Sequence, residues 1–539
     1  MPSKRCPFKV GTCMGPRQRW RSSWHPHPQD LGPSRWLVLG VLCVTLLLVS
    51  LDNTILNTAL PVIAQTMSAS TSELQWIVDI YAVVFAGLLL VLGSMGDRVG
   101  RKWVFMAGLA VFGTGSALSA FSSTPDRLIA ARAFMGVGAA AIMPSTLSIL
   151  TNVFTATGER SKAIGLWSGT SGLGISVGPV AGGWLLAHYW WGSVFLVNVP
   201  LAFAGLVATA LIVPNSRDSA SRAADPVGAL LSIAGMTLLL WAIIDAAARS
   251  WTSPAVLGAL FTSLAALGGF AVWERHCDHP MLRLAYFRRR SYSVAMSGMA
   301  MVMFALMGCL FVLTQYLQFF LGYGPLAAGL RVAPVAAVLL VVSPLSVWIV
   351  GRLGAKLVVA AGMVLIAGGL AGLSGIGAQV GYGSAVPYLL LLGCGAGLVI
   401  APCTDSVMGS VSLQEAGVGS ATNGAAIQTG GALGVAVLGS LLNGRYRSNV
   451  GRALSGFHVA KSVSDLIVGS LGATIEAARR IGGVAGAGLA AVGRSAFISG
   501  MHLAMGVAAL VAAVSAGLIL ALLGGRTRAD RGAGDRRSS

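Results

Sequence analysis

Charge is what this chain has least of. Only 10% of its 539 residues are charged and 55% are apolar, where an ordinary soluble protein carries about 25% charged residues. That scarcity excludes an assembly of soluble domains, and a mean hydropathy of +0.77 makes lipid the main solvent. Cysteine is sparse and unpaired. Cys6, Cys13, Cys43, Cys277, Cys309, Cys394 and Cys403 include no C-x-x-C pair and no Cys/His cluster, so the usual metal and disulfide frameworks have no basis. No Walker A sequence, nucleophile elbow, HExxH or dinucleotide fingerprint occurs, which leaves ATP hydrolysis and the common enzymatic chemistries without residues. The expectation is a protein that is not an enzyme, holds no metal or cofactor, and draws energy from an ion gradient.

What is present is a series of long apolar runs. They lie near 36–60, 76–95, 103–122, 128–150, 162–186, 193–213, 226–246, 254–273, 293–320, 328–350, 356–377, 384–405, 420–442 and 499–523. Each approaches the ~20 residues that cross a bilayer, which predicts an all-α polytopic protein of fourteen spans. The formal charge of +19 does not point to nucleic acid, because its basic residues sit in tails and in loops between the apolar runs. Placing the basic segments 1–35, 98–102, 275–290 and 524–539 on one side puts both termini in the cytoplasm, and the high Ala, Gly and Arg content points to a bacterial cell. Residues 1–35 lack the apolar core of a signal peptide and read as a disordered tail. The exception to the charge rule is 443–498, basic yet placed outside. Amphipathic spacing such as that of Ile475–Ile481 predicts a pair of surface helices there.

A weak repeat divides the chain. Asp97-Arg98-Val99-Gly100-Arg101-Lys102 aligns with Gly351-Arg352-Leu353-Gly354-Ala355-Lys356, each between the second and third span of a six-span unit. The expected units are 36–213 and 293–523, with 226–273 as an inserted pair of linker spans.

Several polar residues fall inside apolar runs, where they are costly and usually face a cavity or a partner. Asp52 lies in Leu51-Asp52-Asn53-Thr54-Ile55-Leu56-Asn57-Thr58-Ala59-Leu60-Pro61, and Arg132 in Ala131-Arg132-Ala133-Phe134-Met135-Gly136. Counting from opposite edges, Asp52 is about 24 Å from the inner boundary and Arg132 roughly 8 Å from the outer one, so the two share a depth in a ~30 Å core. Asp79 enters from the outside to a similar depth. Two acids and one arginine are therefore expected to meet. Burial disfavours charge on a carboxylate and a nearby guanidinium restores it, so such a cluster can take up and release a proton; a purely structural ion pair is the alternative. Asn57, Asp405 and Gln428 are candidates to touch cargo, and Asp245 reads as a boundary residue.

Two glycine patterns complete the picture. Gly174, Gly178 and Gly182 recur every fourth residue, with Pro179 and Gly183 beside them; they permit close helix contact and a bend. Between the second and third spans stands Gly93-Ser94-Met95-Gly96-Asp97-Arg98-Val99-Gly100-Arg101-Lys102, read as a charged turn in which Gly96 and Gly100 allow a tight reversal.

This last run resembles the G-x-L-A-D-R-x-G-R-K signature of major facilitator superfamily transporters, with Gly93, Asp97, Arg98, Gly100, Arg101 and Lys102 in place and Met95 and Gly96 departing from it. The run at Leu51–Pro61 is similar to the L-D-x-T-x-x-N-x-A-L-P motif of fourteen-span drug:proton antiporters of the QacA/EmrB type. The fifth span resembles their G-x-x-x-G-P-x-x-G-G antiporter motif, and Arg132 falls in their R-x-x-x-G-x-G-A-A run. The resemblance implies the major facilitator fold and alternating access, with Asp52, Arg132 and Asp79 in proton coupling and 93–102 in gating. It implies export of small lipophilic drugs or antibiotics by a monomer. A nutrient importer on the same fold is the alternative.

Overall fold

The computed structural model describes residues 34–154, 157–216, 225–277, 280, 284–377, 381–410, 416–454 and 467–522. Among them there is no β-strand. The first helices are α1 (Ser34–Met67), α2 (Thr71–Val99), α3 (Arg101–Ala120), α4 (Pro125–Val153), α5 (Thr157–His188), the single turn α6 (Ser193–Leu196) and α7 (Asn198–Ile212). A hairpin of α8 (Pro226–Arg249) and α9 (Pro254–His276) follows. Then come α10 (Arg290–Gln315), α11 (Pro325–Leu353), α12 (Ala355–Ser374), α13 (Val386–Gly409), α14 (Ala416–Leu454), α15 (Leu471–Ile481) and α16 (Gly483–Leu522). Among the described residues, thirteen segments are long and apolar enough to cross a membrane. The expected span at 162–186 is the 32-residue helix α5, so a count of fourteen is consistent with the fold. Successive spans alternate in direction, which brings Ser34 and Leu522 to one end of the bundle, here the terminal end.

Local chemistry sets the helix starts. Ser70 and Glu73 form a reciprocal capping box on α2, and Thr124, Asp225 and Ser253 cap helices whose next residue is proline. Each cap satisfies an orphan backbone N–H that lipid would leave bare.

The stretch 93–102 departs from the expected turn. Helix α2 runs through it to Val99, and the reversal is the single residue Gly100, with φ +123°. Gly96 is helical and makes no turn. A Cβ on Gly100 would lie 2.8 Å from Asn215 Oδ1, so glycine is required there for space as well as conformation. Gly354, φ +83°, joins α11 to α12 in the same way, which gives the sequence repeat a common geometry.

The 443–498 segment also differs from the expected pair of surface helices. It is a prolongation of α14, the short helix α15 and the first turns of a 40-residue α16. Residues 455–466 lie outside the described set. The amphipathic stretch at 475–481 belongs to α15; its flanks simply continue the spans beyond the bilayer.

Helices α1–α7 pack among themselves, as do α10–α14 with α16, and α8 rests on both α2 and α14. Three side chains bond across these two groups away from the terminal end. Gln318 Nε2 donates to the Thr58 carbonyl at 2.8 Å, and Thr71 Oγ1 to the Gly469 carbonyl at 3.0 Å. Gln75 Nε2 donates to the carbonyls of Ala436 at 2.9 Å and Val435 at 3.3 Å. These bonds close the end opposite the termini. Hydrogen bonds of this kind contribute about 0.5–1.5 kcal/mol each, so Gln75→Ala is expected to shift the open-to-closed population there roughly tenfold. Thiol labelling of a cysteine introduced near Ser440 checks this; an unchanged labelling rate would mean Gln75 does not hold the closure.

The glycines of α5 divide their work between two neighbours. A Cβ on Gly174 would lie 2.5 Å from Ser50 Cβ, and one on Gly182 2.8 Å from Ile55 Cγ1, while Gly178 sits against Thr54. All three face α1 around Asp52. Gly183 instead faces α11, where a Cβ would lie 2.7 Å from Leu326 Cα, and Gly329 of α11 abuts the Pro179 carbonyl. Helix α5 thus ties α1 to α11. Overpacking costs about 1–3 kcal/mol, so Gly178→Ala is expected to lower the melting temperature of purified protein clearly. Gly258→Ala, where a Cβ meets nothing within 4 Å, should leave it unchanged.

Candidate functional site

The most buried polar cluster in the first group forms where α1, α2, α3, α4 and α7 meet. Asp52 is fully buried and Arg132 is 1% exposed. Arg132 Nη1 lies 2.6 Å from Asp52 Oδ2, within the range of a charge-assisted hydrogen bond. The second carboxylate oxygen, Oδ1, accepts from Asn198 Nδ2 at 2.9 Å. Asn198 Nδ2 also donates to Ser116 Oγ at 3.2 Å, and Ser116 in turn donates to the Phe195 carbonyl at 2.8 Å. On the arginine side, Nε donates to the Ile77 carbonyl at 3.2 Å, and the guanidinium lies 4.2 Å from the centre of the Tyr81 ring. One ion pair therefore connects α1 and α4, with α2 holding the cation and α7 holding the anion. Removing two charges from water is expensive, and only close pairing with extra hydrogen bonds offsets it; every one of those partners is present here.

Asp79 does not join this pair. Ile77 and Tyr81 turn toward Arg132, and Asp79, between them in sequence, lies about 200° around α2. It shares its face with Gln75 and Val83, which meet α14 and α8. Both Asp79 oxygens are buried and make no hydrogen bond among the described residues. A lone carboxyl in such surroundings is costly to keep charged.

The other expected residues scatter. Asn57 is buried, donates to the Asn53 carbonyl at 3.3 Å and leaves Oδ1 unbonded. Gln428 is half-buried on α14, one turn after Gly424, whose position faces Leu89 of α2 and Met143 of α4. Asp405 is exposed near the terminal end of α13, so it is not enclosed with the other acids. Asp245 pairs with Arg249 at 2.7 Å on the rim of α8. In the 93–102 stretch, Arg98 is exposed. Arg101 Nη1 donates to the Ser148 carbonyl at 3.3 Å, and Lys102 Nζ to the Ala210 carbonyl at 2.8 Å in the last turn of α7, where a helix end attracts cations. The Asp97 side chain lies outside the described residues.

The sequence marks Asn198 only as part of Trp191–Pro200, a run similar to the family's W-R-W-x-F-x-x-N-V-P, and gives no role to Ser116, Tyr81 or Gln75. The available signal was weak: a buried Asn and Ser in apolar helices can equally bond their own backbone.

Many crossing helices, a closure at one end and an ion pair buried among the apolar helices define a multi-pass membrane transporter. The chain matches the Major Facilitator Superfamily over residues 42–435. It belongs to that family. It is 35% identical over 419 residues to the multidrug efflux pump LfrA of Mycolicibacterium smegmatis, covering 78% of this chain and 83% of the relative. It is 34% identical over 506 residues to the tetracenomycin C resistance and export protein of Streptomyces glaucescens, covering 92% and 93%. The methyl viologen resistance protein SmvA of Salmonella typhimurium is 31% identical over 469 residues, covering 86% and 93%. Among solved structures, a bacterial homologue of the human lysosomal transporter Spinster, inward-facing and occupied, aligns with a TM-score of 0.61 at 15% identity, covering 91% of this chain and 98% of that one; the likeness is one of fold.

Proposed function

We propose that the protein exports small, largely apolar drugs or antibiotics across a bacterial cytoplasmic membrane, in exchange for protons, with both termini in the cytoplasm. The observation that carries this reading is the buried Asp52–Arg132 pair with its Asn198 support. A proton on Asp52 cancels the charge that holds Arg132. Arg132 keeps its Ile77 and Tyr81 partners on α2, so α1 is released from α4 while α4 stays on α2. Because α5 packs tightly on α1 beside Asp52 and on α11 across the groups, that release reaches the closure between the groups. One proton entering across 100 mV supplies about 2.3 kcal/mol, comparable to the few hydrogen bonds that must break. Asp79, at the contact with α14, is the second carboxyl assigned to proton traffic. Asn57 and Gln428 present amides to cargo.

The relatives named for drug efflux and antibiotic export support the cargo class. Cells producing the chain should retain less ethidium-like dye than control cells, and a protonophore should restore retention. Equal retention of a panel of lipophilic cationic and neutral drugs would defeat the reading.

A further inference from the structure

A cavity of about 580 Å³ opens between α14 and α16, lined by Arg445, Ser495, Ile498, Ser499, His502 and Leu503. Its depth follows from two independent counts. His502 is twenty residues before the end of α16, and Ile376 follows the twenty-residue helix α12; each lies about 30 Å from the terminal end at 1.5 Å per residue. The two meet, His502 Nε2 lying 2.8 Å from the Ile376 carbonyl. That level is where hydrocarbon gives way to headgroups.

The chemistry of the cavity changes with depth. At the headgroup level Arg445 Nε donates to Ser499 Oγ at 3.2 Å, which fixes the guanidinium. Its terminal nitrogens have no acceptor among the described residues, and Ser495 and His502 flank it. Below, on the same face of α16, come the exposed Leu503, Gly506 with open space around its Cα, and the exposed Leu510. Residues 499, 503, 506 and 510 share a face at helical spacing. A fixed cation with hydroxyls above an apolar channel matches an acidic amphiphile rather than a neutral one. The same feature gives Arg445 a reason to stand on the side that the charge rule leaves poor in arginine.

We propose that this groove binds an anionic phospholipid, its phosphate on Arg445 and His502 and an acyl chain along Leu503, Gly506 and Leu510. The full-length protein in a neutral detergent would be titrated with phosphatidylglycerol, phosphatidylcholine or glycerol 3-phosphate, and binding read from retained lipid in native mass spectra and from melting temperature. Phosphatidylglycerol should bind and raise the melting temperature more than phosphatidylcholine does. Arg445→Gln/His502→Gln should bind phosphatidylglycerol about tenfold more weakly, and its melting temperature should no longer differ between phosphatidylglycerol and phosphatidylcholine. Arg445→Lys should keep most of the preference. Equal response to both lipids, an undiminished preference in the double variant, or full saturation by glycerol 3-phosphate alone would overturn the assignment.

Discussion

Arg132→Met is expected to cost about 3–5 kcal/mol of stability, because it leaves the Asp52 carboxylate buried without its cation. The thermal midpoint of the purified variant should fall by many degrees, or folded protein should be scarce. Replacing both partners tests the cause. Asp52→Leu/Arg132→Met removes both charges and fills both sites with apolar atoms, and buried pairs replaced together are often neutral in stability. Asn198 keeps its bond to Ser116 in that variant. The double variant should therefore recover most of the lost stability, yet export nothing. If the double variant is no more stable than Arg132→Met, the loss comes from the space Arg132 fills rather than from its charge. Export by the double variant would remove the pair from the mechanism altogether.

The second large effect is on transport alone. Asp52→Asn keeps the shape of the side chain, and its amide oxygen still accepts from Arg132. The Ile77 carbonyl and Tyr81 ring continue to hold the cation. The variant should fold with a modest drop in melting temperature. It cannot take up and release a proton at this position, so gradient-driven accumulation of cargo in vesicles should fall to the protein-free level. Exchange of labelled for unlabelled cargo without a gradient should persist. Wild-type accumulation by Asp52→Asn would place proton coupling elsewhere, with Asp79 the next candidate.

Much of this was legible from residues. Alternating apolar runs gave the helices, since a bilayer admits little else. The shared depth of Asp52 and Arg132 followed from rise per residue alone. For Asp79, depth says how far along α2 it lies, but only the 100° step per residue says which way it faces, and that step separates it from Ile77 and Tyr81. The charged stretch 93–99 reads as a turn because its side chains are polar, yet a helix satisfies its backbone whatever the side chains. The reversal needed only Gly100, whose neighbour Asn215 is more than a hundred residues away. The roles of Asn198 and Ser116 were hidden for a similar reason, since each depends on a partner carboxylate on a distant helix.

The central claim is that cargo leaves in exchange for a proton. The most direct measurement reconstitutes the purified protein in vesicles with an acidic lumen and a trapped pH dye. Cargo added outside should accumulate in the lumen as luminal pH rises with matching kinetics, and a protonophore should abolish the accumulation. Cargo accumulation that leaves luminal pH unchanged and survives the protonophore would contradict the account.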